Sequence, residues 1–542
     1  MGRLVDVRQA LSVIRDNSVV AISGFNMATT PEYLILKAYE LYRETGHPSG
    51  LFIISDTLPA ARGRGLDLVA KMIIESKDFG FIRGLALPFV GLAPNVQRLI
   101  SENLVEAYTW PIGVAANWFR SIARGVPMLS KVGLGTFLDP RVGDGMYMNE
   151  LARERSTCRV DVVNVNSDEY LMYTCPKPNY ALIRGSYADE FGNLTMIDEA
   201  IYGSVLAITQ AVKAQPNPGT VIAQVLYVVK YGSISAKDVH VPGPLIDYIV
   251  EAPPEYHTQT ATIRYDPRVC GRLTTESSCV VGNGALDFEK VIARRALIEM
   301  VKVSTELGRP IVVNLGIGIP SKIAEIINEE GLEDVVVTTV EAGPWGGVAL
   351  GEDDFGSSIN PFAILTMPDQ FIIYEGGGID AASLGFMQVD KYGNVNPSFL
   401  PGRVTGPGGF PSIAYGAQRV YFAGGFTAGR RIIEVKDGEL RIVKDGDVVK
   451  FVNKAYKIAF NADLALKMGK EVLYITERAV FRLTPGGLVL EEYAPGVDVE
   501  KDILGKMEFK PAISRNLREM DRELFIDKPL GLKKEVLKAL RS

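Results

Sequence analysis

The feature that most constrains the fold of this chain is an internal repeat, in which two segments carry the same order of local signals. In the first, the β-branched run at residues 19–22 leads into a glycine turn and then Pro31. In the second, residues 311–315 lead into a glycine turn and then Pro320. A strand that enters a glycine turn, with proline near the first turn of the next helix, is typical of an α/β unit. The sequence therefore predicts two divergent copies of one α/β unit in tandem.

A later pair of markers indicates that the two copies differ in length. Each copy carries an Asp-x-x-Gly-Asn turn, at Gly192 in the first and Gly393 in the second. Gly192 lies 168 residues after Gly24, but Gly393 lies only 77 residues after Gly316. The first copy must therefore contain a large insertion, or the second a deletion.

Chain length and periodicity predict the fold class. A single core rarely grows beyond about 250–300 residues, and this chain has 542. Apolar β-branched runs alternate with helical patterns such as residues 31–42 and 293–306, which favours parallel sheets covered by helices. We expect two related open α/β domains with mostly parallel sheets: an N-terminal domain at 1–252, a linker rich in proline and threonine at 253–280, and a C-terminal domain at 281–542.

Charge and hydropathy exclude several classes of partner. The net charge of −6 gives no reason to expect nucleic acid or an anionic membrane. We find no run of about 18 uncharged apolar residues and no signal peptide, so we expect no membrane span and a cytoplasmic location.

Cysteine and histidine are too sparse to predict a metal site. The chain has four cysteines and three histidines, and it has no C-x-x-C pair. We expect no bound metal and free thiols, although Cys270 and Cys279 are close enough in sequence for a bridge between them to stay open.

One acidic residue stands where a nucleophile would be presented. Glu341 directly follows the apolar run at residues 335–340 and precedes the turn Ala-Gly-Pro-Trp-Gly-Gly. Ligands of open α/β sheets bind beyond the carboxyl ends of strands, so a carboxylate there would be held on a rigid element. From the local pattern alone, an exposed loop acid is the simpler interpretation.

Glycine clusters accompany Glu341 in the second half. They lie at residues 376–378, 402–409 and 424–425, where backbone N–H groups could hold a phosphate or an oxyanion. Each alone is more often a tight turn. We find no phosphate-binding G-x-x-x-x-G-K-[ST] loop and no G-x-S-x-G elbow, and residues 315–320 lack the third glycine of a dinucleotide fingerprint.

The ordered motifs of the second half resemble the family I CoA-transferases, particularly the single-chain acetate/propionate and acetoacetyl-CoA types. The residues that carry this resemblance are 316–320 (Gly-Ile-Gly-Ile-Pro), 340–347 (Val-Glu-Ala-Gly-Pro-Trp-Gly-Gly), 376–380, 393–399, 406–410, 426–429 and 476–481. The first half matches as well, at residues 107–113, 133–141, 188–194 and 241–243. The resemblance therefore covers almost the whole chain and explains the repeat.

The resemblance implies a ping-pong transfer of CoA between carboxylic acids. Glu341 would attack an acyl-CoA, and the released thiolate would convert the resulting anhydride into a glutamyl-CoA thioester. The resemblance makes Gly408 and Gly409 the expected oxyanion donors. Coenzyme A is then a substrate and covalent intermediate, with no permanently bound cofactor, and a homo-oligomer (dimer or tetramer) is expected. For CoA binding we single out Gly376, Gly377, Gly378, Asn394, Asn396 and Ser398, with Arg403 near a phosphate.

The departures from the family pattern lie mainly in the first half. Asp56 stands where relatives carry an amide that helps the oxyanion hole, and an ionised carboxylate there would repel an oxyanion. Residues 87–91 (Leu-Pro-Phe-Val-Gly) replace a His-Trp-Gly segment, and residues 143–145 (Gly-Asp-Gly) replace Gly-Gly-Lys. Trp345 is expected to trim the acyl pocket.

Two other functions compete with CoA transfer. The first is an acyl-CoA hydrolase on the same scaffold, in which water replaces the acceptor carboxylate. The second is a ligand sensor that binds without turnover, which usually carries a DNA-binding domain. No basic helix-turn-helix segment is evident in this sequence.

Overall fold

Two large β-sheets, one from each half of the chain, organise the computed structural model, which describes residues 2–275 and 284–539. The helices of the first half are α1 (Val7–Leu11), α2 (Glu32–Thr45), α3 (Leu66–Ser76), α4 (Pro94–Ser101), α5 (Ile112–Ala123), α6 (Glu150–Arg155) and α7 (Val205–Lys213). Its strands are β1 (Arg3–Leu4), β2 (Val19–Ile22), β3 (Leu51–Ile54), β4 (Ala60–Ala61), β5 (Arg64–Gly65), β6 (Ile82–Ala86), β7 (Glu106–Tyr108), β8 (Met128–Ser130), β9 (Arg159–Val165), β10 (Asp168–Thr174), β11 (Tyr180–Arg184), β12 (Tyr187–Asp189), β13 (Leu194–Thr195), β14 (Thr220–Val225), β15 (Tyr227–Val229), β16 (Val239–Val241) and β17 (Tyr248–Glu251).

The second half begins with a long helix and is richer in short strands. Its helices are α8 (Phe288–Leu307), α9 (Lys322–Glu330), α10 (Met367–Glu375), α11 (Phe410–Gly416), α12 (Ala462–Lys467) and α13 (Leu532–Ala539). Its strands are β18 (Ile311–Leu315), β19 (Val336–Thr339), β20 (Pro344–Trp345), β21 (Val348–Ala349), β22 (Ser358–Ile359), β23 (Ala363–Ile364), β24 (Ala381–Leu384), β25 (Gln388–Asp390), β26 (Val395–Asn396), β27 (Arg419–Ala423), β28 (Thr427–Ala428), β29 (Ile432–Lys436), β30 (Glu439–Lys444), β31 (Val448–Val449), β32 (Phe451–Val452), β33 (Glu471–Ile475), β34 (Ala479–Thr484), β35 (Gly487–Tyr493) and β36 (Ala512–Glu519).

The two large sheets share one arrangement of five parallel strands. The first sheet has the order β1-β17-β14-β11-β2-β3-β6-β7, and all of its neighbours are parallel. The second has the order β23-β20-β19-β18-β24-β27-β33-β34-β35-β36, with β19 to β33 parallel. The five shared strands are β3-β2-β11-β14-β17 in the first sheet and β19-β18-β24-β27-β33 in the second. In each set of five, the first strand in sequence lies between the second and the third, as in the doubly wound order 2-1-3-4-5. This confirms the predicted α/β class with two related units.

The repeated Asp-x-x-Gly-Asn turns have the same hydrogen bonds in both halves. Asp189 accepts from the backbone of Phe191 and Asn193, and Asp390 accepts from that of Tyr392 and Asn394, all at 2.9–3.0 Å. Each asparagine side chain donates back to its aspartate, at 3.0 Å and 3.1 Å. The turns are therefore equivalent structural elements of the duplicated unit.

The extra residues of the first half lie between β3 and β11. They extend the parallel sheet by β6 and β7 and form a separate sheet, β8-β10-β9. The corresponding connection in the second half, between β19 and β24, carries β20 to β23 and α10. The length difference between the copies is thus an insertion that widens one sheet.

A disulfide joins the two ends of the β9–β10 hairpin. Arg159 pairs with Thr174 across the hairpin, so Cys158 and Cys175 stand opposite each other and are bonded. The expectation of free thiols is wrong for this pair, because the hairpin register brings together residues 17 apart in sequence. Cys270 is a half-buried free thiol, and Cys279 lies outside the described residues.

We expect a double replacement of Cys158 and Cys175 by alanine to lower the stability of the first half. A disulfide that closes a loop of about 15 residues stabilises by about 3 kcal/mol, mainly by restricting the unfolded chain. Thermal unfolding of the variant and the wild type, each with and without a reductant, measures the effect. Replacing Cys270 by alanine is the control and should change nothing. A wild-type midpoint that does not respond to full reduction would contradict this prediction.

No helix within residues 2–275 and 284–539 is long and apolar enough to span a membrane. The same residues contain no group of three or more His, Cys, Asp or Glu side chains placed to hold a metal ion.

Candidate active site

The carboxyl edges of the two parallel sheets face each other across a cavity of about 330 Å³. The second half contributes residues 314–317 after β18, Glu341 after β19 and residues 384–386 after β24. These strands flank the point where the strand order reverses, which is where doubly wound sheets bind ligands. The first half contributes residues that follow β2, β3, β6 and β7.

Glu341 is a buried acid at the centre of this arrangement. Its exposed fraction is 8%, and burial raises the pKa of its carboxyl to about 7. A charged carboxylate loses solvation when it leaves water, so the protonated form is favoured. The exposed-loop interpretation is therefore wrong for Glu341, because the first half covers the end of β19.

A hydrogen-bond network fixes the strand ends beneath Glu341. The amide of Asn314 donates to the Thr339 carbonyl (3.2 Å) and to the Tyr374 hydroxyl (3.0 Å). That hydroxyl donates to the Thr339 side chain at 2.9 Å. Asn314 also lines the cavity and is 1% exposed. Sequence reasoning missed this residue, although its place at the end of β18 was a usable signal.

Gly409 lies directly against the Glu341 carboxylate. A methyl group added at Gly409 would collide with Oε2 of Glu341 and come within 2.9 Å of its Cδ atom. Gly409 precedes α11, and within the described residues its N–H has no hydrogen-bond acceptor. Only glycine leaves room for the carboxylate at this position.

Gly408, the second expected oxyanion donor, makes two backbone hydrogen bonds with the first half. Its N–H donates to the Pro88 carbonyl at 3.0 Å, and its own carbonyl accepts from Ile112 at 3.0 Å. These bonds join the two halves beside the cavity. Because its donor is already used, Gly408 cannot also stabilise an oxyanion in this arrangement.

The residues singled out for CoA binding separate into three groups. Gly376, Gly377 and Gly378 follow α10 and precede β24, so they lie at the amino edge of the sheet, opposite the cavity. Asn394 holds the Asp390 turn and accepts from the backbone of Ala462 at 2.9 Å. The first two groups, these glycines and Asn394, are not among the cavity-lining residues.

The third group lies on the loop that follows β26. Asn396 is buried and accepts from the backbone of Ser398 and Phe399, so it shapes this loop. Ser398 lines the cavity, and its hydroxyl donates to the Gly406 carbonyl at 2.9 Å. Arg403 is exposed on the same loop. Of the residues singled out for CoA, only Ser398 lines the cavity.

Asp56 lies behind the cavity wall. It is 1% exposed and is not a lining residue, whereas Thr57 and Leu58 are. Burial raises the pKa of Asp56 to about 7, and the nearby Ser204 hydroxyl opposes this shift. Asp56 is therefore a buried acid outside the cavity lining, and its raised pKa disfavours the ionised form that would repel an oxyanion. Trp345 is also outside the lining, because its indole N–H donates to Gln370 at 2.6 Å.

A buried arginine anchors the loop that follows β2. Arg184 is 1% exposed, pairs with Glu199 at 2.8 Å and donates to the Thr30 carbonyl at 3.3 Å. The same loop carries Phe25 and Asn26, which line the cavity. Sequence reasoning did not single out Arg184, since its partners lie far away in the chain.

Comparisons with known proteins agree with this geometry. A family model described as "Coenzyme A transferase" matches residues 5–252. The chain is 37% identical to the caffeate CoA-transferase of Acetobacterium woodii, covering 98% of this chain and 99% of that protein. It is 36% identical to the acetate CoA-transferase YdiF of Escherichia coli K12, covering 97% and 96%.

A solved structure shares the whole fold. It is the acyl-CoA transferase YdiF of E. coli O157:H7, described as a thioester complex with CoA, with a TM-score of 0.88 and 35% identity over 98% of this chain and 97% of that one. Identity at this level over the full length of named CoA-transferases, with the same fold, shows that this chain belongs to the coenzyme A transferase family.

Proposed function

We propose that this CoA-transferase moves CoA from an acyl-CoA to a short-chain carboxylate through a glutamyl-CoA thioester on Glu341. The observation that carries the proposal is the buried Glu341 carboxylate at the carboxyl end of β19, beside the reversal of strand order between β18 and β24, with Gly409 against it. A nucleophile held on a strand end in a water-poor cavity is placed for covalent catalysis.

The proposed reaction is a series of acyl transfers. A Glu341 oxygen attacks the thioester carbonyl, the carbon–sulfur bond breaks, and a mixed anhydride and CoA thiolate form. The thiolate attacks the glutamyl carbonyl, which releases the first carboxylate and leaves the glutamyl-CoA thioester. A second carboxylate then reverses these steps. The relative described as a thioester complex with CoA supports an intermediate of this kind.

Each acyl transfer passes through a tetrahedral oxyanion, which needs a donor placed in advance. We assign this role to the Gly409 N–H, because it has no acceptor among the described residues and adjoins the reacting carboxylate. Gly408 then serves to hold the two halves together. This refines the expectation that both glycines donate.

We assign the CoA arm to the loop at residues 397–409. It presents Ser398 and several glycines to the cavity, and Arg403 is exposed at its outer part. Backbone and hydroxyl groups suit the amides of pantetheine, and a guanidinium suits a phosphate. Gly376 to Gly378, Asn394 and Asn396 are not part of this proposal.

Trapping tests the thioester directly. The protein is incubated with acetyl-CoA without an acceptor, treated with borohydride, and digested for mass spectrometry. We expect reduction at Glu341, and CoA should leave the enzyme, as a new acyl-CoA, only when a carboxylate is added. A label at another residue would contradict the mechanism. Steady release of CoA into water without an acceptor would instead support the hydrolase, the competing function on this scaffold.

The pH dependence of activity should report the Glu341 carboxyl. The nucleophile must be ionised, and its pKa is raised to about 7. We therefore expect kcat/KM to fall about tenfold per unit below that pKa and to level off above it. Initial rates from pH 5.5 to 9 measure this limb.

An Asp56→Asn variant is the control for that profile. Burial also raises the pKa of Asp56 to about 7, but Asp56 lies outside the cavity. The variant should show the same fall of kcat/KM below pH 7 as the wild type. If the limb disappears in this variant, the titrating group is Asp56 and not Glu341.

A further inference from the structure

Five of the seven residues that the first half contributes to the lining of the Glu341 cavity are apolar, and the other two are Asn26 and Thr57. The aromatic and aliphatic members of this wall are Phe25, Leu58, Phe89, Leu92 and Ile112. Phe89 belongs to the segment at residues 87–91 that departs from the family pattern. The altered segment therefore supplies a hydrophobic surface to the site, which favours the burial of apolar groups.

The lining offers no cation to a second charged group on a substrate. None of the 24 lining residues is lysine, arginine or histidine, and the charged one among them is Glu341. A buried ammonium, Lys450, lies 3.9 Å from the centroid of the Phe386 ring but is not a lining residue. The Phe386 ring, and not Lys450, lines the cavity.

The two sides of the cavity differ in what they can hold. The loop at residues 397–409 presents backbone groups and the Ser398 hydroxyl, which suits the polar arm of CoA. The first-half wall packs against this loop, since Gly408 exchanges backbone hydrogen bonds with Pro88 and Ile112, and five of the seven lining residues of the wall present hydrocarbon. We therefore expect an acyl tail bonded to the reacting carbonyl to lie against the hydrocarbon of the wall, which includes Phe25 and Phe89.

We propose that this cavity selects monocarboxylic acids with an apolar tail and rejects dicarboxylic acids, an inference that rests on the proposed transfer at Glu341. Each methylene added to the tail should raise kcat/KM about fourfold while the wall has room for it. A terminal carboxylate on the tail would be buried without a cationic partner, which costs far more than a methyl group gains.

Acceptor competition tests this selectivity on the intact protein. Acetyl-CoA is the donor, and propanoate, butanoate or succinate is the acceptor, since succinate is butanoate with its methyl group replaced by a carboxylate. Chromatography of the acyl-CoA products gives kcat/KM for each acid. We expect butanoate to exceed propanoate by about fourfold and succinate by on the order of 100-fold or more.

Placing a cation in the wall should weaken the discrimination against succinate. In Phe89→Arg, a half-buried side chain of the wall gains a guanidinium that can pair with the second carboxylate. The butanoate-to-succinate ratio should fall at least about tenfold, the size of one charge-assisted hydrogen bond. Leu92→Lys, at another half-buried wall position, makes the same test if Phe89→Arg does not fold.

Phe79→Arg is the matched control, because Phe79 is 36% exposed and precedes β6 at the edge away from the cavity. It should keep the wild-type ratio. Equal use of succinate and butanoate by the wild type, or an unchanged ratio in both wall variants, would overturn the selectivity while transfer itself still stood. Absence of transfer to every acid, with no label on Glu341, would overturn the proposed function and this inference together.

Discussion

A Glu341→Gln variant is expected to lose CoA transfer by on the order of 10⁴- to 10⁶-fold, the scale of removing a covalent nucleophile. The amide keeps the size of the side chain but cannot form the anhydride. Because burial raises the pKa of Glu341 to about 7, the amide also removes the cost of burying a charge above neutral pH. The variant should therefore be at least as stable as the wild type at pH 8.

The sign of that stability effect follows from linkage. An acid whose folded pKa exceeds its unfolded value of about 4.3 contributes stability below that unfolded value. The contribution is lost as the pH rises through the folded pKa of about 7. Denaturant unfolding at pH 5 and pH 8 should show a smaller pH dependence in Glu341→Gln than in the wild type.

Glu375→Gln is the matched control for the loss of activity. Burial raises the pKa of Glu375 to about 7 as well, but this acid accepts from Ser412 at 2.7 Å and does not line the cavity. It should keep most of the rate. A Glu341→Asp variant tests geometry, because a withdrawal of about 1 Å can cost about 100-fold. Full activity in either Glu341 variant would rule out the covalent mechanism.

The sequence predicted the scaffold well because local signals and topology agree in this chain. Strands β2 and β18 span the residues indicated by their β-branched runs, and α8 (Phe288–Leu307) includes the helical pattern at residues 293–306. The repeated turns at Gly192 and Gly393 were a sound marker of duplication, since both aspartates make the same local bonds. Elements specified by such short-range patterns depend little on contacts between distant parts of the chain.

The CoA-binding residues were harder to predict, because their roles depend on which edge of a sheet they reach. Gly376, Gly377 and Gly378 have a composition typical of a phosphate loop. They precede β24 and therefore lie at the amino edge of the sheet, opposite the cavity. Asn394 has a local motif, but its partner Ala462 lies 68 residues away. The disulfide was missed for a similar reason, because Cys158 and Cys175 become neighbours only through the hairpin register that pairs Arg159 with Thr174.

The composition of the cavity wall could not be read from either half alone. Phe25 and Phe89 have ordinary local patterns, and only the approach of the two carboxyl edges makes them neighbours of Glu341. The position of Asp56 is a similar case. Sequence reasoning placed an acid near the site, but in the fold Thr57 and Leu58 line the cavity and the buried Asp56 does not.

Gly409→Ala is expected to reduce kcat by about 100- to 1,000-fold, the cost of losing one oxyanion donor. Its methyl group would meet Oε2 of Glu341 and lie 3.1 Å from the ring of Phe371, so the carboxylate must move. The displaced carboxylate then no longer faces the N–H that we assign to the oxyanion. Single-turnover rates of thioester formation on Glu341 measure this step without contributions from product release.

Gly408→Ala separates this effect from backbone strain at the adjacent position. Gly408 has φ +59°, so alanine there costs about 1–2 kcal/mol of strain. Its methyl group would meet only Phe89 at 4.0 Å, and the N–H can still donate to Pro88. Even if all of that strain fell on the transition state, the rate would drop only about tenfold. Gly408→Ala should therefore be the less stable but more active of the two variants, and equal activity losses would remove the special role of Gly409.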